Sequence, residues 1–300
     1  MTPLPNCAIL IPTRNRPEIL QDSLERLRAL GLEHVPLWVY DDASDDPATI
    51  AHVVHAAWPG AELVRGTTQR GQAFGRNALL RACGAPFAIM LDDDQYFLDL
   101  GNLSAYTQDR EDREGLAGVA FQCRVKSSGR LDIAARVPAK KCPFFMGGAV
   151  LFDVERVLGT GGFREYWRYG YEEPELAARL YARGYYLQYE PRILVEHNHL
   201  MTEKARRDET EYDYLYARNA ILLDTLNMPL WVGLPTGLAR SIRRSLHFNR
   251  NWRAKARGTF AGLAMTFSLW QERHPMSTRQ ALDWLRFNRT WQEPEARRTP

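Results

Sequence analysis

Residues 86–94 read PFAIMLDDD, and this stretch decides the fold. Five apolar residues behind a proline make a run too short for an ordinary helix. The run suits a strand buried on both faces of a parallel sheet. Three adjacent aspartates end it. The same construction stands upstream, where residues 37–42 read LWVYDD and residues 7–12 read CAILIP. A further strand is expected at 62–64. Helix signals fall between the strands. Pro17 suits a first helical turn, with Ile19, Leu20, Leu24 and Leu27 on one face. Asp46-Pro47 opens a second helix through Val53 and Val54, and residues 71–82 form a third after a glycine turn. This alternation predicts an α/β architecture, an open and mostly parallel Rossmann-like sheet with helices on both faces. Ligands bind such sheets beyond the carboxyl ends of the strands, where both acidic clusters fall.

The second half is less regular. A strand is expected over 144–152 (FFMGGAVLF), a helix over 174–183, strands at 185–189 and 193–195, and a helix over 212–226. After Pro229 the chain reads as helical and basic, which predicts a division into 1–228 and a helical extension, 229–300. With 45% hydrophobic and 25% charged residues in 300, the chain can build a sizeable core. The net charge of +3 gives no ground for a nucleic-acid partner. The charge is unevenly placed. From Pro229 onward 13 Arg and Lys face 4 Asp and Glu, a surplus of +9 that leaves −6 on the rest. A basic tail containing Trp252, Trp270, Trp284 and Trp291 reads in three ways: as a patch for a membrane surface, as a helical extension packed on the catalytic domain, or as an oligomer contact. Cys7, Cys83, Cys123 and Cys142 show no paired spacing, which suits reduced core thiols. No signal-peptide pattern opens the sequence and no apolar run approaches the length of a membrane span. A cytoplasmic protein is therefore expected, with peripheral contact at the inner membrane surface as the membrane reading of the tail.

Several residues carry candidate chemistry. Asp92, Asp93 and Asp94 repel one another, and a divalent cation bound through oxygen is the natural compensator. In an extended segment Asp92 and Asp94 point the same way. Asp41 and Asp42 end the second strand and suit either hydroxyl recognition or turn chemistry with a helix cap. Arg76, in GQAFGRN (71–77), suits a phosphate, an acidic partner or plain solvent. Gly147 and Gly148 inside an apolar run suit close ligand approach or a bulge. Glu172 and Glu173, in YGYEEPE (169–175), suit a proton acceptor or the dipole of the helix that follows. His197 and His199, in VEHNH, suit a metal ligand or a structural imidazole.

In this order the segments AILIPTRNRPEIL, VYDDASDD, GQAFGRNALL, IMLDDD, FFMGGAVLFDVERVLGTGGFRE, YGYEEPELAARLYARGYYLQYEP and VEH resemble a family 2 glycosyltransferase of the GT-A fold, over residues 8–229. The resemblance implies an inverting transfer from a nucleotide-diphosphate sugar, UDP favoured over dTDP or GDP, to an acceptor hydroxyl. The acceptor would be a carbohydrate, a lipid-linked molecule or a small molecule. It implies Pro12, Arg14, Asp41, Asp42, Arg76, Asp92 and Asp93 at the nucleotide. It implies Asp92, Asp94 and His197 at a divalent metal, Mn2+ or Mg2+, with Asp94 the direct ligand. Gly147, Gly148 and Trp167 would line the sugar and acceptor side. Glu173, or Glu172 beside it, would be the general base, at a position where the family normally has Asp. Residues 212–219 (YDYLYARN) are similar to a helix of the rhamnosyltransferase-like branch.

Two other classes remain at this point. A nucleotidyltransferase would carry a glycine-rich loop after the first strand, where this chain has Thr13-Arg14-Asn15-Arg16-Pro17. A non-catalytic sugar-nucleotide or glycan binder would not need Asp92, Asp94 and Glu173 together.

Overall fold

The computed structural model describes residues 4–108, 113–133, 137–198, 209–247 and 251–291. By contacts the chain forms two compact units, Met1–Glu165 with Gly184–Leu200, and Tyr166–Arg183 with Met201–Pro300.

The first unit begins with β1 (Cys7–Thr13), α1 (Pro17–Ala29), β2 (Leu37–Asp41), α2 (Pro47–Ala57), β3 (Glu62–Arg65), α3 (Gln72–Ala82) and β4 (Phe87–Leu91). It continues with β5 (Gln95–Asp99), α4 (Leu103–Gln108), β6 (Leu116–Val125), β7 (Lys140–Cys142), β8 (Ala149–Asp153), α5 (Val154–Gly159) and β9 (Tyr186–His197). Among the described residues one nine-stranded sheet runs β3-β2-β1-β4-β8-β6-β9-β5, with β7 on β9. The ladders from β3 to β4 are parallel, as the buried apolar runs predict. Beyond β4 the sheet is mixed. β8 runs antiparallel to β4 and β6, β6 and β9 are parallel, and β5 and β7 are antiparallel to β9. Every residue of β1 and β4 is buried. The core under α1 and α2 gathers Ile9, Ile11, Leu20, Leu24, Val39 and Ile89. Each such side chain contributes about 1.5–3 kcal/mol through burial.

Three expectations change. The strand expected over 144–152 begins only at Ala149, and Gly147-Gly148 form the turn before it, closed by Ala149 N–H donating to the Met146 carbonyl at 3.1 Å. The two strands expected at 185–189 and 193–195 are one strand, β9. Its register against β6 shifts between Phe121 and Gln122, opposite Pro191, which has no N–H to give a ladder. Asp92–Asp94 do not continue an extended strand. Gln95 N–H donates to the Asp92 carbonyl at 3.0 Å, so the aspartates form a tight turn into β5.

The second unit contains α6 (Glu172–Ala182), α7 (Glu209–Asn227), α8 (Leu230–His247), α9 (Trp252–Ser268) and α10 (Thr278–Trp291). The buried Trp167, Leu222, Leu223 and Leu226 form its core cluster. The tail tryptophans divide. Trp231, Trp252 and Trp270 are exposed, whereas Trp284 and Trp291 are buried, Trp284 lying 5.0 Å from the Tyr181 ring. All four cysteines are buried and unbridged. No helix among the described residues is long and apolar enough to cross a membrane.

Candidate active site

The acidic turn is an ionic cluster at the ends of β1, β4 and β9. Asp93 is buried. Its Oδ2 accepts from Thr13 Oγ1 at 2.8 Å and its Oδ1 from Arg16 Nη1 at 2.6 Å. The other arm of the guanidinium, Nη2, donates to Asp94 Oδ2 at 2.8 Å. Asp94 Oδ1 lies 3.3 Å from His197 Nε2. Asp92 Oδ1 accepts from Arg76 Nη2 at 2.9 Å. Burial pushes the Asp93 carboxyl up to about 7, against the pull of Arg16 and with the repulsion of Asp94 added. Burial also opposes charge on Asp94, but the hydrogen bond and charge of His197, and then Arg16, outweigh it and hold that carboxyl below its ordinary value. Burial disfavours the imidazolium of His197, but the hydrogen bond and charge of Asp94 prevail and raise its pKa.

Two glycines let the backbone close on this cluster. A side chain at Gly148 would stand within 2.5 Å of Asp92 Cγ, so the turn of Gly147-Gly148 lies directly against Asp92. A side chain at Gly75 would meet the Tyr40 ring at 2.6 Å, so this glycine seats α3 on β2 and Pro12. Arg76 is 1% exposed, so the reading of a solvated arginine is excluded and the acidic partner is Asp92.

At the end of β2 Asp41 makes a turn contact, Asp42 reaches across to another loop, and the cap of α2 is Asp46 rather than either of them. Asp42 Oδ1 and Oδ2 accept from the N–H groups of Arg70 and Gly71 at 2.7 and 2.8 Å. Asp41 is buried, and its Oδ1 accepts from Ser44 N–H at 2.9 Å. Arg14 is half-buried, and Arg16, rather than Arg14, reaches the aspartates. The residue between them, Asn15, adopts φ +54° and is tied to Ser44 and Asp45 by three hydrogen bonds of 2.8–3.1 Å. Sequence reasoning missed Arg16. Its signal was an arginine three residues beyond a strand end, in a loop without glycine.

The glutamates belong to the second unit. Helix α6 starts at Glu172, two residues earlier than expected, so Glu172 and Glu173 lie inside its first turn. Glu172 is buried and Glu173 half-buried. Glu175 is buried in a two-pronged pair with Arg179 at 2.7 and 2.8 Å. The approach to the helix is strained, with Arg168, Gly170 and Tyr171 at φ +61°, +78° and +69°. One side chain of α7 holds it. Asn219 Nδ2 donates to the carbonyls of Trp167, Tyr169 and Gly170 at 3.1, 2.8 and 2.9 Å, while Arg218 Nη2 donates to the Trp167 carbonyl at 3.0 Å. No local pattern in the sequence points to this role of Asn219. The indole of Trp167 is fully buried in the core cluster, and its Nε1 has no hydrogen-bond partner among the described residues. His199 lies outside the described residues.

The family model "Glycosyl transferase family 2" matches residues 8–152, from β1 to β8. Residues 8–152 are a family 2 glycosyltransferase domain. The comparison with curated proteins gives no match. Solved structures share the GT-A fold. One is the mannosyltransferase PcManGT of Pyrobaculum calidifontis in complex with GDP-Man and Mn2+, at TM-score 0.55 and 18% identity over 97% of this chain and 89% of that one. Another is S. aureus TarS in complex with UDP-GlcNAc, at TM-score 0.58 and 14% identity over 87% and 80%. A third is GalNAc-T7 with UDP, GalNAc and Mn2+, at TM-score 0.59 and 11% identity over 96% and 58%.

Within the first unit, the glycosyltransferase domain and β9 place a carboxylate and an imidazole 3.3 Å apart, Asp94 Oδ1 and His197 Nε2, with the Asp92 carboxylate two residues away. No cluster of three such side chains is already drawn together around one point among the described residues. Oxygen and imidazole donors suit Mn2+ or Mg2+, whose remaining positions substrate oxygens commonly fill. The donor set fits such an ion, and in this structure Arg16 and Arg76 supply the counter-charge.

Proposed function

We propose that the chain is an inverting glycosyltransferase that moves a sugar from a nucleoside diphosphate donor to an acceptor hydroxyl. The observation that carries this reading is the pairing of Asp94 with His197 at strand ends, with Asp92 two residues away against the Gly147-Gly148 turn. In the reaction Glu173 takes the proton of the acceptor hydroxyl. The hydroxyl oxygen bonds to the anomeric carbon, and the bond from that carbon to the diphosphate oxygen breaks with inversion. Glu173 suits the role better than Glu172 because its side chain is half-buried rather than buried. Asp92, Asp94 and His197 would hold Mn2+ or Mg2+, which neutralises charge developing on the leaving diphosphate. Arg76 and Arg16 keep the carboxylates oriented, and Asp42 shapes the nucleotide end by gripping the Arg70-Gly71 backbone. Pro12, Arg14 and Asp41 border that end, and Gly147 and Gly148 form the floor. Trp167 is carried to the acceptor side by the resemblance alone, since its indole is buried in the core of the second unit. UDP is the favoured nucleotide, in line with its presence in the TarS and GalNAc-T7 complexes, and GDP, bound by PcManGT, is the next arm to test.

Calorimetric titration with UDP, dTDP and GDP, with and without Mn2+, tests the reading on wild type and Asp94→Ala. One nucleotide is expected to bind in the presence of Mn2+ and to lose that binding in the variant. Absence of binding for all three, under every condition, overturns it.

A further inference from the structure

The second unit carries a surface that transfer chemistry does not use. Helix α8 turns an apolar stripe outward. Trp231, Leu234, Leu238 and Ile242 recur at the helical period, and Trp231 and Ile242 are 64% and 59% exposed. Helix α9 does the same with Trp252, Phe260 and Phe267, which fall within about a quarter-turn of one another and are 70%, 71% and 67% exposed. The two helices touch, Ser241 Oγ lying 2.9 Å from Thr259 Oγ1. At the end of α9 the Phe267 and Trp270 rings stack in parallel planes, and the Arg273 guanidinium lies 4.6 Å over Trp270.

The charge on α8 and α9 has one sign, and the exposed Glu272 beside Trp270 is the first acid after them. Residues 230–268 contain seven Arg and Lys and no Asp or Glu. Arg240 and Lys255 turn inward to Asp224 and Asp213 of α7. Arg253 and Arg257 are exposed, beside the aromatic stripe of α9. A soluble helix ordinarily gives its outer face to charged residues of both signs, so these faces are inverted in composition. Tryptophan and phenylalanine with neighbouring arginines match the boundary between lipid headgroups and acyl chains.

We propose that the outer face of α8 and α9 docks on an anionic phospholipid surface. Neither helix is long and apolar enough to cross a membrane, so the contact lies in the interface. A second copy of the chain fits the face less well, because a two-fold contact would bring like-charged arginines together.

The test is co-sedimentation of the full chain with phosphatidylcholine vesicles, with and without phosphatidylglycerol. Wild type is expected to bind the anionic vesicles, to leave them as salt rises, and to bind neutral vesicles weakly. Trp231→Ser/Ile242→Ser and Phe260→Ser/Phe267→Ser should each lower partitioning about tenfold or more, with unchanged melting and nucleotide binding. Arg253→Ser/Arg257→Ser should lower it about tenfold through charge alone. This pair leaves the apolar stripes intact, so it keeps the test decisive if the other variants fold poorly. Failure of wild type to bind anionic vesicles overturns the proposal, as does equal binding by all three variants. A solution dimer that the serine variants dissociate overturns it in favour of a second copy. An acidic protein that binds this face when vesicles do not overturns it in favour of a protein partner. Nucleotide titration is independent of every one of these outcomes.

Discussion

At the end of β4 three aspartates are compensated by charge, whereas the approach to Glu172 and Glu173 at the start of α6 is held by backbone geometry. The aspartates stand among two guanidinium groups, an imidazole and a threonine hydroxyl, with contacts of 2.6–3.3 Å. The glutamates follow a segment with three left-handed residues, which the neutral amide of Asn219 holds by its carbonyls. The difference suits the two tasks proposed for these regions. A diphosphate and its metal need a cluster whose charge can be rebalanced, because low-dielectric carboxylates cannot stand unpaired. The proposed general base needs one carboxylate held at a fixed place.

The largest expected effect lies on the geometric side. Glu173→Gln should lower kcat about 10³-fold, read as release of nucleoside diphosphate from the donor that titration identifies. Glu172→Gln should cost far less, and the opposite order would move the base to Glu172. Asn219→Leu asks whether the amide or the strain itself holds the approach to α6. Three carbonyls lose their donor, and kcat should fall about 100-fold through misplacement of the helix start, with nucleotide affinity unchanged. An unaltered kcat would show that packing alone fixes the segment. The smallest effect belongs to the ionic side. Arg16→Ala leaves Asp93 and Asp94 without their shared cation and should cost about 2 kcal/mol in urea unfolding, less than for a fully buried pair because Arg16 is partly exposed. Arg16→Lys should recover only part, since an ammonium cannot bridge two carboxylates as a guanidinium fork does. A loss below about 0.5 kcal/mol would place the cluster with ordinary surface pairs and weaken the contrast.

The two regions were not equally legible. The ionic cluster could be read because its acids stand at the ends of apolar runs, where an open α/β sheet exposes its ligand edge. The geometric one was legible only as a pair of glutamates near a helix start. What holds them, Asn219, lies about 50 positions downstream, with sequence separations of 49 to 52 to its three carbonyls. Neither composition nor periodicity reports a contact at that range. The tail is basic and tryptophan-containing, but two of its tryptophans pack inward and three face out. The identity of the residue did not separate them, and position on the helix did.

By itself the sequence determined β1, β2, β4, the helices between them and the acidic strand ends, because local period, apolar runs and turn residues act over a few positions. It also determined the sign of the charge on α8 and α9. Tertiary structure decided the rest. It placed β5 after the aspartates, joined β9 across Pro191, and turned Gly147-Gly148 onto Asp92. It chose Arg16 over Arg14 through a left-handed Asn15 tied to Ser44 and Asp45. Each of these depends on which strand or loop lies alongside, and a buried polar group takes whichever partner the packed fold brings within reach.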